Sequence, residues 1–182
     1  MLYTMKIELI PNTEQHKQLE ETIKRFNEVC NYISKIAFKS GAMKNKIKLQ
    51  KESYRLVRDH FEIPSQLVVI AISKVVEAYK KGMYQSPVTF DENESVLFDN
   101  RLLKFTWLHM ASITTIQGRT EIPLLVHAYR KGINDKRIVG HADLIKEENK
   151  FFILLPIDLP NVDTISALHF SNTKFLNEGE TC

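Results

Sequence analysis

Residues 3–10 read YTMKIELI, and residues 11–38 continue as PNTEQHKQLEETIKRFNEVCNYISKIAF. The first segment alternates apolar and polar side chains, a pattern typical of a β-strand that buries one face. The second segment has the spacing of a long amphipathic helix. Because a single short strand has no fold of its own, it must pair with strands that occur later in the chain, beyond an insertion.

The first helix has clear start and stop signals. Asn12 or Thr13 can accept hydrogen bonds from its free N–H groups, and Glu14 complements the positive end of the helix dipole. Ser40 and Gly41 predict its end, because glycine readily takes the left-handed conformation that closes many helices. Apolar residues three and four apart form its buried stripe: Leu19, Ile23, Phe26, Cys30, Ile33 and Ala37.

A second helix is predicted over residues 44–60, with a weaker apolar pattern. We expect Ile47, Tyr54 and Val57 to be its core contacts, which leaves basic side chains on its other faces. Between Lys35 and Arg58 the only acidic residue is Glu52. The second helix is therefore the main candidate for contact with an anion.

Positive charge is concentrated in the first half of the chain. Residues 1–90 have a net charge of +6 and residues 91–182 of −3, and residues 35–58 hold eight basic residues against one acidic residue. Such a cluster either covers a solvated helix face or binds phosphates, and counterion release favours phosphate binding when a polyanion is present. The phosphate-binding candidates are Lys39, Lys44, Lys46, Lys48, Lys51, Arg55 and Arg58.

A third helix begins at Pro64, which suits a first helical turn, and closes at Gly82. At its start, Ser65 and Gln66 stand beside free backbone N–H groups, where they either cap the helix or contact a base edge or a phosphate. Its polar side carries three lysines that either are solvated or contact phosphates: Lys74, Lys80 and Lys81. Its buried stripe is Leu67, Val68, Ala71, Ile72, Val75, Val76 and Tyr79.

From residue 86 the sequence changes to short runs rich in Val, Ile, Thr and aromatic residues, separated by Asp, Asn and Gly. Two connections, at residues 117–119 and 147–149, are typical of hairpins. The predicted strands are 95–98, 102–107, 112–116, 120–126, 137–146 and 150–158. Paired with the opening strand, they predict an α+β protein: a small OB-like antiparallel β-barrel with three helices inserted after its first strand.

Composition narrows the class of protein further. The chain has 182 residues, 43% hydrophobic and 26% charged, which is ordinary globular usage. No apolar run approaches a membrane span and no signal pattern opens the chain, so we expect a cytoplasmic protein without a membrane partner. Cys30 and Cys182 form no C-x-x-C pair, and the six histidines show no metal-binding spacing, so no metal and no other cofactor is predicted.

The order of these features resembles the N-terminal half of the TnpB family, the transposon-encoded RNA-guided nucleases related to type V CRISPR effectors. The residues that carry the resemblance are Ile10-Pro11, Gln15, Leu19, Asn31-Tyr32, Ala78-Tyr79-Lys80-Lys81, Gly118-Arg119, Ile122-Pro123, Ala142-Asp143-Leu144-Ile145 and Lys150-Phe151-Phe152-Ile153-Leu154. The resemblance covers roughly residues 1–160. It implies that the barrel is a wedge domain and the helices a recognition lobe, which bind a structured guide RNA and a short motif in double-stranded DNA.

The resemblance also implies a domain division. Residues 1–11 form the first barrel strand, 12–85 the inserted recognition lobe, 86–160 the rest of the wedge barrel, and 161–182 a degenerate start of a RuvC-like nuclease. In the family that nuclease opens with a metal-binding Asp, whereas Leu168 stands near the matching position here. Two-metal cleavage requires several converging carboxylates, which the remaining residues do not supply.

The sequence therefore predicts a non-catalytic, nucleic-acid-binding fragment or relic of a TnpB-like protein, with no catalytic residues. One alternative is an accessory subunit that supplies the recognition lobe to a separate nuclease chain. Another is a repressor that occludes DNA. Steep salt dependence of RNA binding distinguishes the first interpretation from salt-independent binding to a protein partner.

Overall fold

The computed structural model describes residues 2–106, 109–125, 138–158 and 175–176 of the chain. The protein is α+β, with three helices and a nearly closed antiparallel barrel, as predicted from the sequence. The helices are α1 (Thr13–Ser40), α2 (Lys46–Phe61) and α3 (Ser65–Lys80). The strands are β1 (Leu2–Leu9), β2 (Val96–Phe98), β3 (Leu103–Thr106), β4 (Met110–Thr115), β5 (Gly118–Leu125), β6 (Ala142–Glu147), β7 (Lys150–Asp158) and β8 (Phe175–Leu176).

The opening strand lies inside the sheet. Seven strands follow the order β2-β6-β7-β1-β5-β4-β3, and β8 pairs with β1 off this path. β1 pairs with β7 along its whole length, from Leu2 opposite Asp158 to Leu9 opposite Phe151. Met5 and Ile7 are buried as the alternation predicts. The first strand of the chain is therefore held mainly by a strand about 150 residues later in the sequence, which its apolar period alone could not identify.

The chain divides into two compact units. One comprises Met1–Asn12, Leu97–Ile113 and Thr120–Cys182, and the other comprises Thr13–Val96 and Thr114–Arg119. The helical unit thus includes the tip of the β4–β5 hairpin. There, the Ile116 N–H donates to Thr22 Oγ1 of α1 at 3.2 Å. The predicted nuclease start at 161–182 lies outside the described residues, apart from β8.

α1 and α3 form the core of the helical unit, and the prediction of both apolar stripes is confirmed. Leu19, Phe26 and Ile33 of α1 and Leu67 and Val75 of α3 are all fully buried. All three pairs of helices are in contact. Gly41 follows α1 with φ +69°, the left-handed conformation predicted for its end.

The predicted core contacts of α2 are partly wrong. Val57 is buried, but Ile47 is 71% exposed and Tyr54 is half-buried. The residues that α2 buries are Leu49, Ser53 and Val57, spaced by four. Since a four-residue step advances 400° around a helix, these three lie on one face, and Ile47 and Tyr54 lie away from it. The prediction failed because it gave a polar serine no place in the core.

Residues 86–95 have no helix or strand, and side chains of α1 and α3 hold their backbone in place. Asn31 donates to the Phe90 carbonyl at 2.9 Å and accepts from the Phe90 N–H at 2.7 Å. Asn27 donates to the Glu94 carbonyl at 2.7 Å, and Ser34 donates to the Val88 carbonyl at 2.6 Å. Asn27, Asn31 and Ser34 are spaced by four and three residues, so they form a second stripe beside the apolar stripe of α1. They satisfy backbone groups that a strand partner would otherwise bond.

Candidate nucleic-acid interface

The exposed side of α2 is the most basic surface that the predicted site residues form. We define the α2 basic face as six residues on the side of α2 that points away from its buried residues; the acidic residues Glu52 and Asp59 lie at the edge of this side. The six are Ile47, Lys48, Lys51, Tyr54, Arg55 and Arg58. Four of the six are cations, and their side chains are exposed. Because Lys48 and Arg58 are ten residues apart, the cations extend along about 15 Å of helix axis.

Two of these cations are already engaged, and two are available. Lys48 Nζ donates to the Ser40 carbonyl at 3.0 Å and lies 3.9 Å from a Glu52 carboxylate oxygen. Arg58 donates to the Ile63 carbonyl, which stabilises the turn before α3. Lys51 and Arg55 form no ion pair or hydrogen bond with the described part of the chain. An anion that reaches this face therefore finds Lys51 and Arg55 free to bind it.

The charge at the start of α2 opposes the helix dipole. Asn45 caps the helix by accepting from the Lys48 N–H at 3.0 Å, but the first turn contains Lys46 and Lys48 and no acidic residue. Cations at a helix N-terminus are unfavourable by a few tenths of a kcal/mol or more, whereas anions there are favourable. α1 has the stabilising arrangement, with Glu14 in its first turn. The lysines at the start of α2 thus reinforce a positive potential instead of stabilising the helix.

A surface depression of about 390 Å³ lies on the α2 basic face, lined by α2 alone. Its lining residues are Ile47, Gln50, Lys51, Tyr54 and Arg55. The sequence predicts the two cations as site residues but places Ile47 and Tyr54 in the core, so the apolar and aromatic part of this surface is not predicted. The four-residue spacing of Leu49, Ser53 and Val57 was the signal that would have placed both residues outside.

Lys74 is a predicted site residue, but it is buried. Its side chain is 9% exposed, and the ammonium group lies 3.1 Å from a Glu94 carboxylate oxygen. It also donates to the Ser95 carbonyl at 2.7 Å and to Asn27 Oδ1 at 3.2 Å. The prediction that Lys74 lies on the polar side of α3 is wrong, because its long apolar stem is buried while its charge is satisfied inside the unit.

The other predicted residues on α3 lie at its two ends. Ser65 is exposed at the first helical position, and Gln66 is half-buried beside it. Pro64 takes the N-cap position and no side chain caps the helix there, so Ser65 is not the cap. Lys80 and Lys81 are exposed at the other end, and Lys80 pairs with Glu77 at 2.7 Å. Since α3 has 16 residues, the two groups are about 22 Å apart and do not form one site.

The remaining predicted cations lie at the beginning of α2 and just before it. Lys39 is exposed in the last turn of α1, Lys44 is exposed in the connection between α1 and α2, and Lys46 is the first residue of α2. Together with the α2 basic face they concentrate positive charge along one continuous stretch of the chain. The structure therefore brings together the α2 candidates and leaves the α3 candidates apart.

A larger cavity, of about 690 Å³, lies in the unit that contains most of the barrel. Phe98, Leu103 and Phe105 supply apolar lining, and Asp99 and Lys104 supply one charge of each sign. Because the two charges oppose each other, this cavity lacks the concentrated positive charge of the α2 basic face. The α2 basic face is therefore the better candidate for binding phosphates.

Cys30 is buried in the helical unit, and its environment makes the thiol chemically inert. Desolvation by burial raises the pKa of Cys30 from its ordinary 9.0 to about 12; the positive charge of Lys74 opposes this shift and the negative charge of Glu94 adds to it. Thiolate is the reactive form of cysteine, so Cys30 does not act as a nucleophile near neutral pH. Within the described residues, no group of three or more His, Cys, Asp or Glu side chains could hold a metal ion.

The fold defines the class of the protein as α+β, with an antiparallel barrel and three helices. No protein-family model matches the chain, and no curated protein matches it significantly. The resemblance to the TnpB family, the domain division and the roles that it implies therefore stay predictions. In the part of the chain that is described, none of the helices has the length and apolarity that crossing a membrane requires.

Proposed function

We propose that the protein is a non-catalytic module that binds nucleic acid through the α2 basic face. The observation that carries this proposal is the exposure of four cations on one face of α2, two of which, Lys51 and Arg55, form no hydrogen bond or ion pair with other described residues. Unpaired cations on a rigid helix can exchange counterions for phosphates without first breaking an intramolecular ion pair. The expected ligands are a structured RNA and double-stranded DNA, as in a TnpB-like recognition lobe.

The geometry sets the size of the electrostatic effect. The segment of α2 between Lys48 and Arg58 is about 15 Å long, which matches roughly four phosphates of one duplex strand at about 3.4 Å per nucleotide along the axis. If each of the four cations contacts one phosphate, the logarithm of the binding constant falls with the logarithm of salt concentration with a slope of about −3.6. Affinity then drops about 150-fold between about 50 and about 200 mM salt.

The test replaces the two available cations. Lys51→Gln with Arg55→Gln should reduce the slope to about −1.8, so that the same salt change weakens binding only about 12-fold. The matched control is Lys17→Gln with Lys104→Gln, two exposed cations outside the α2 basic face that change the net charge equally. Fluorescence anisotropy with a labelled RNA hairpin and a DNA duplex measures both slopes, and thermal unfolding verifies that the variants are folded.

Three outcomes would contradict the proposal. The first is that the wild-type chain binds neither RNA nor DNA at low salt. The second is that the control pair reduces the slope as much as the α2 pair, which would indicate diffuse attraction by net charge. The third is magnesium-dependent cleavage of the labelled nucleic acid by the purified chain, which would contradict a non-catalytic role.

A further inference from the structure

We infer that the depression on α2 holds the base of an unpaired nucleotide, while its neighbouring phosphates bind Lys51 and Arg55. This inference rests on the proposed function and specifies which form of nucleic acid the α2 basic face prefers. It is carried by the position of Ile47 and Tyr54 beside the free cations Lys51 and Arg55 in one depression, an arrangement that phosphate binding alone does not require.

The apolar residues of the depression distinguish a base from a phosphate. Ile47 is 71% exposed within a group of cations, and Tyr54, about two helical turns away, is half-buried. A phosphate gains nothing from contact with these side chains, whereas the flat face of a base gains dispersion and stacking energy. Alternating cations and aromatic side chains are the combination by which proteins bind single strands.

The polarity of the depression also fits a base. Gln50 lines the depression and carries an amide that can both donate to and accept from a base edge. In a duplex the base faces are stacked against one another, so Tyr54 and Ile47 would meet only the sugar-phosphate backbone. An unpaired nucleotide therefore uses the whole surface, and a duplex uses only its charges.

The first experiment leaves the protein unchanged and alters the ligand. Wild-type affinity is measured by anisotropy for an unstructured oligonucleotide, in RNA and in DNA form, and for the same strands with abasic positions. Loss of stacking should weaken binding roughly 5- to 150-fold for each base that is engaged, at an unchanged number of phosphates. Equal affinity for the intact and abasic strands would overturn the inference.

The second experiment alters the protein. Tyr54→Leu should weaken binding of the intact oligonucleotide roughly 5- to 150-fold and leave binding of the abasic strand unchanged, whereas Tyr54→Phe should retain near wild-type affinity. Tyr84→Leu is the matched control, since Tyr84 is an exposed tyrosine of the helical unit that does not lie on α2. Thermal unfolding is measured for each variant, and the abasic comparison decides the outcome if Tyr54→Leu does not fold.

The outcomes separate this inference from the proposed function. If Lys51→Gln with Arg55→Gln weakens binding but Tyr54→Leu does not, the proposed function stands and the base site is refuted. An equal effect of Tyr54→Leu on duplex and single strand would also refute it. If an acidic peptide displaces the oligonucleotide at similar concentration, the surface binds anions of any kind and the base site is wrong. Absence of any binding would refute both.

Discussion

The burial of Cys30 predicts a specific loss of stability in alkaline solution. The thiol is fully buried on the core stripe of α1, and its pKa is raised to about 12 in the folded protein. In the unfolded chain the same thiol has an ordinary pKa of 9.0. The unfolded state therefore releases a proton above about pH 9 that the folded state retains up to about pH 12. Stability from this group is complete below pH 9 and is lost as the pH rises from about 9 to about 12.

The size of the effect follows from proton linkage. Between about pH 8 and about pH 10, a group that ionises near pH 9 only when unfolded lowers the free energy of unfolding by about 1.4 kcal/mol. Other groups also titrate in this range, so the measured quantity is the difference between the wild-type chain and Cys30→Ala. The alanine variant has its own cavity cost, but that cost does not depend on pH.

The assay is urea unfolding at about pH 8 and about pH 10, monitored by circular dichroism. Both the wild-type chain and the Cys30→Ala variant carry Cys182→Ser, so that Cys30 is the only thiol that differs between them. The stability advantage of wild type over Cys30→Ala should shrink by about 1.4 kcal/mol between the two pH values. An unchanged difference would refute the reasoning, because it would mean that the folded protein admits water or base to this thiol. Alkylation of Cys30 by iodoacetamide without unfolding would refute it independently.

Two further predictions concern the helical unit. Lys74→Met should lower the free energy of unfolding by about 2 kcal/mol, because it leaves the Ser95 carbonyl without its donor. Glu94→Gln should lower it by only about 0.5 kcal/mol, since the Glu94 side chain is 42% exposed. Equal losses for the two variants in chemical denaturation would contradict this difference. Gly41→Ala should cost about 1 to 2 kcal/mol, because φ is +69°; among the described residues no atom lies within 4 Å of the added Cβ, so the cost is backbone strain and not a steric clash. An unchanged melting temperature of the Gly41→Ala variant would contradict this expectation, because it would mean that the turn adopts another backbone conformation without cost.

The regular parts of the fold could be predicted from the sequence. In α1 and α3 the apolar residues recur over several turns, so an error at one position does not move the predicted face. The apolar stripe residues from Leu19 to Ala37 in α1, and from Leu67 to Tyr79 in α3, are buried as expected. The hairpin between β6 and β7 was also predictable, because Glu147 and Lys150 flank a short polar turn.

The candidate site was only partly predictable, because α2 gives a weak periodic signal. Its buried face includes Ser53, whose hydroxyl donates to the Leu49 carbonyl at 2.7 Å and so satisfies itself within the helix. A polar residue satisfied in this way is indistinguishable in sequence from an exposed one. Lys74 is the converse case, since its charge can be buried only because Asn27, Glu94 and Ser95 supply partners, and these are distant in the sequence.

The position of α2 in the unit explains how a face with so much positive charge is tolerated. Of its 16 residues α2 buries three, whereas α3 buries nine of 16. Contacts with α1 and α3, together with the Arg58 bond to the Ile63 carbonyl, therefore hold α2 in place in spite of its own unfavourable first turn. A helix stabilised by its neighbours can carry repulsive charge on its free side. That charge lowers the stability of the unbound protein, and a bound polyanion would remove the repulsion. The same lysines thus weaken α2 in isolation, and under the proposed function they would favour the bound state.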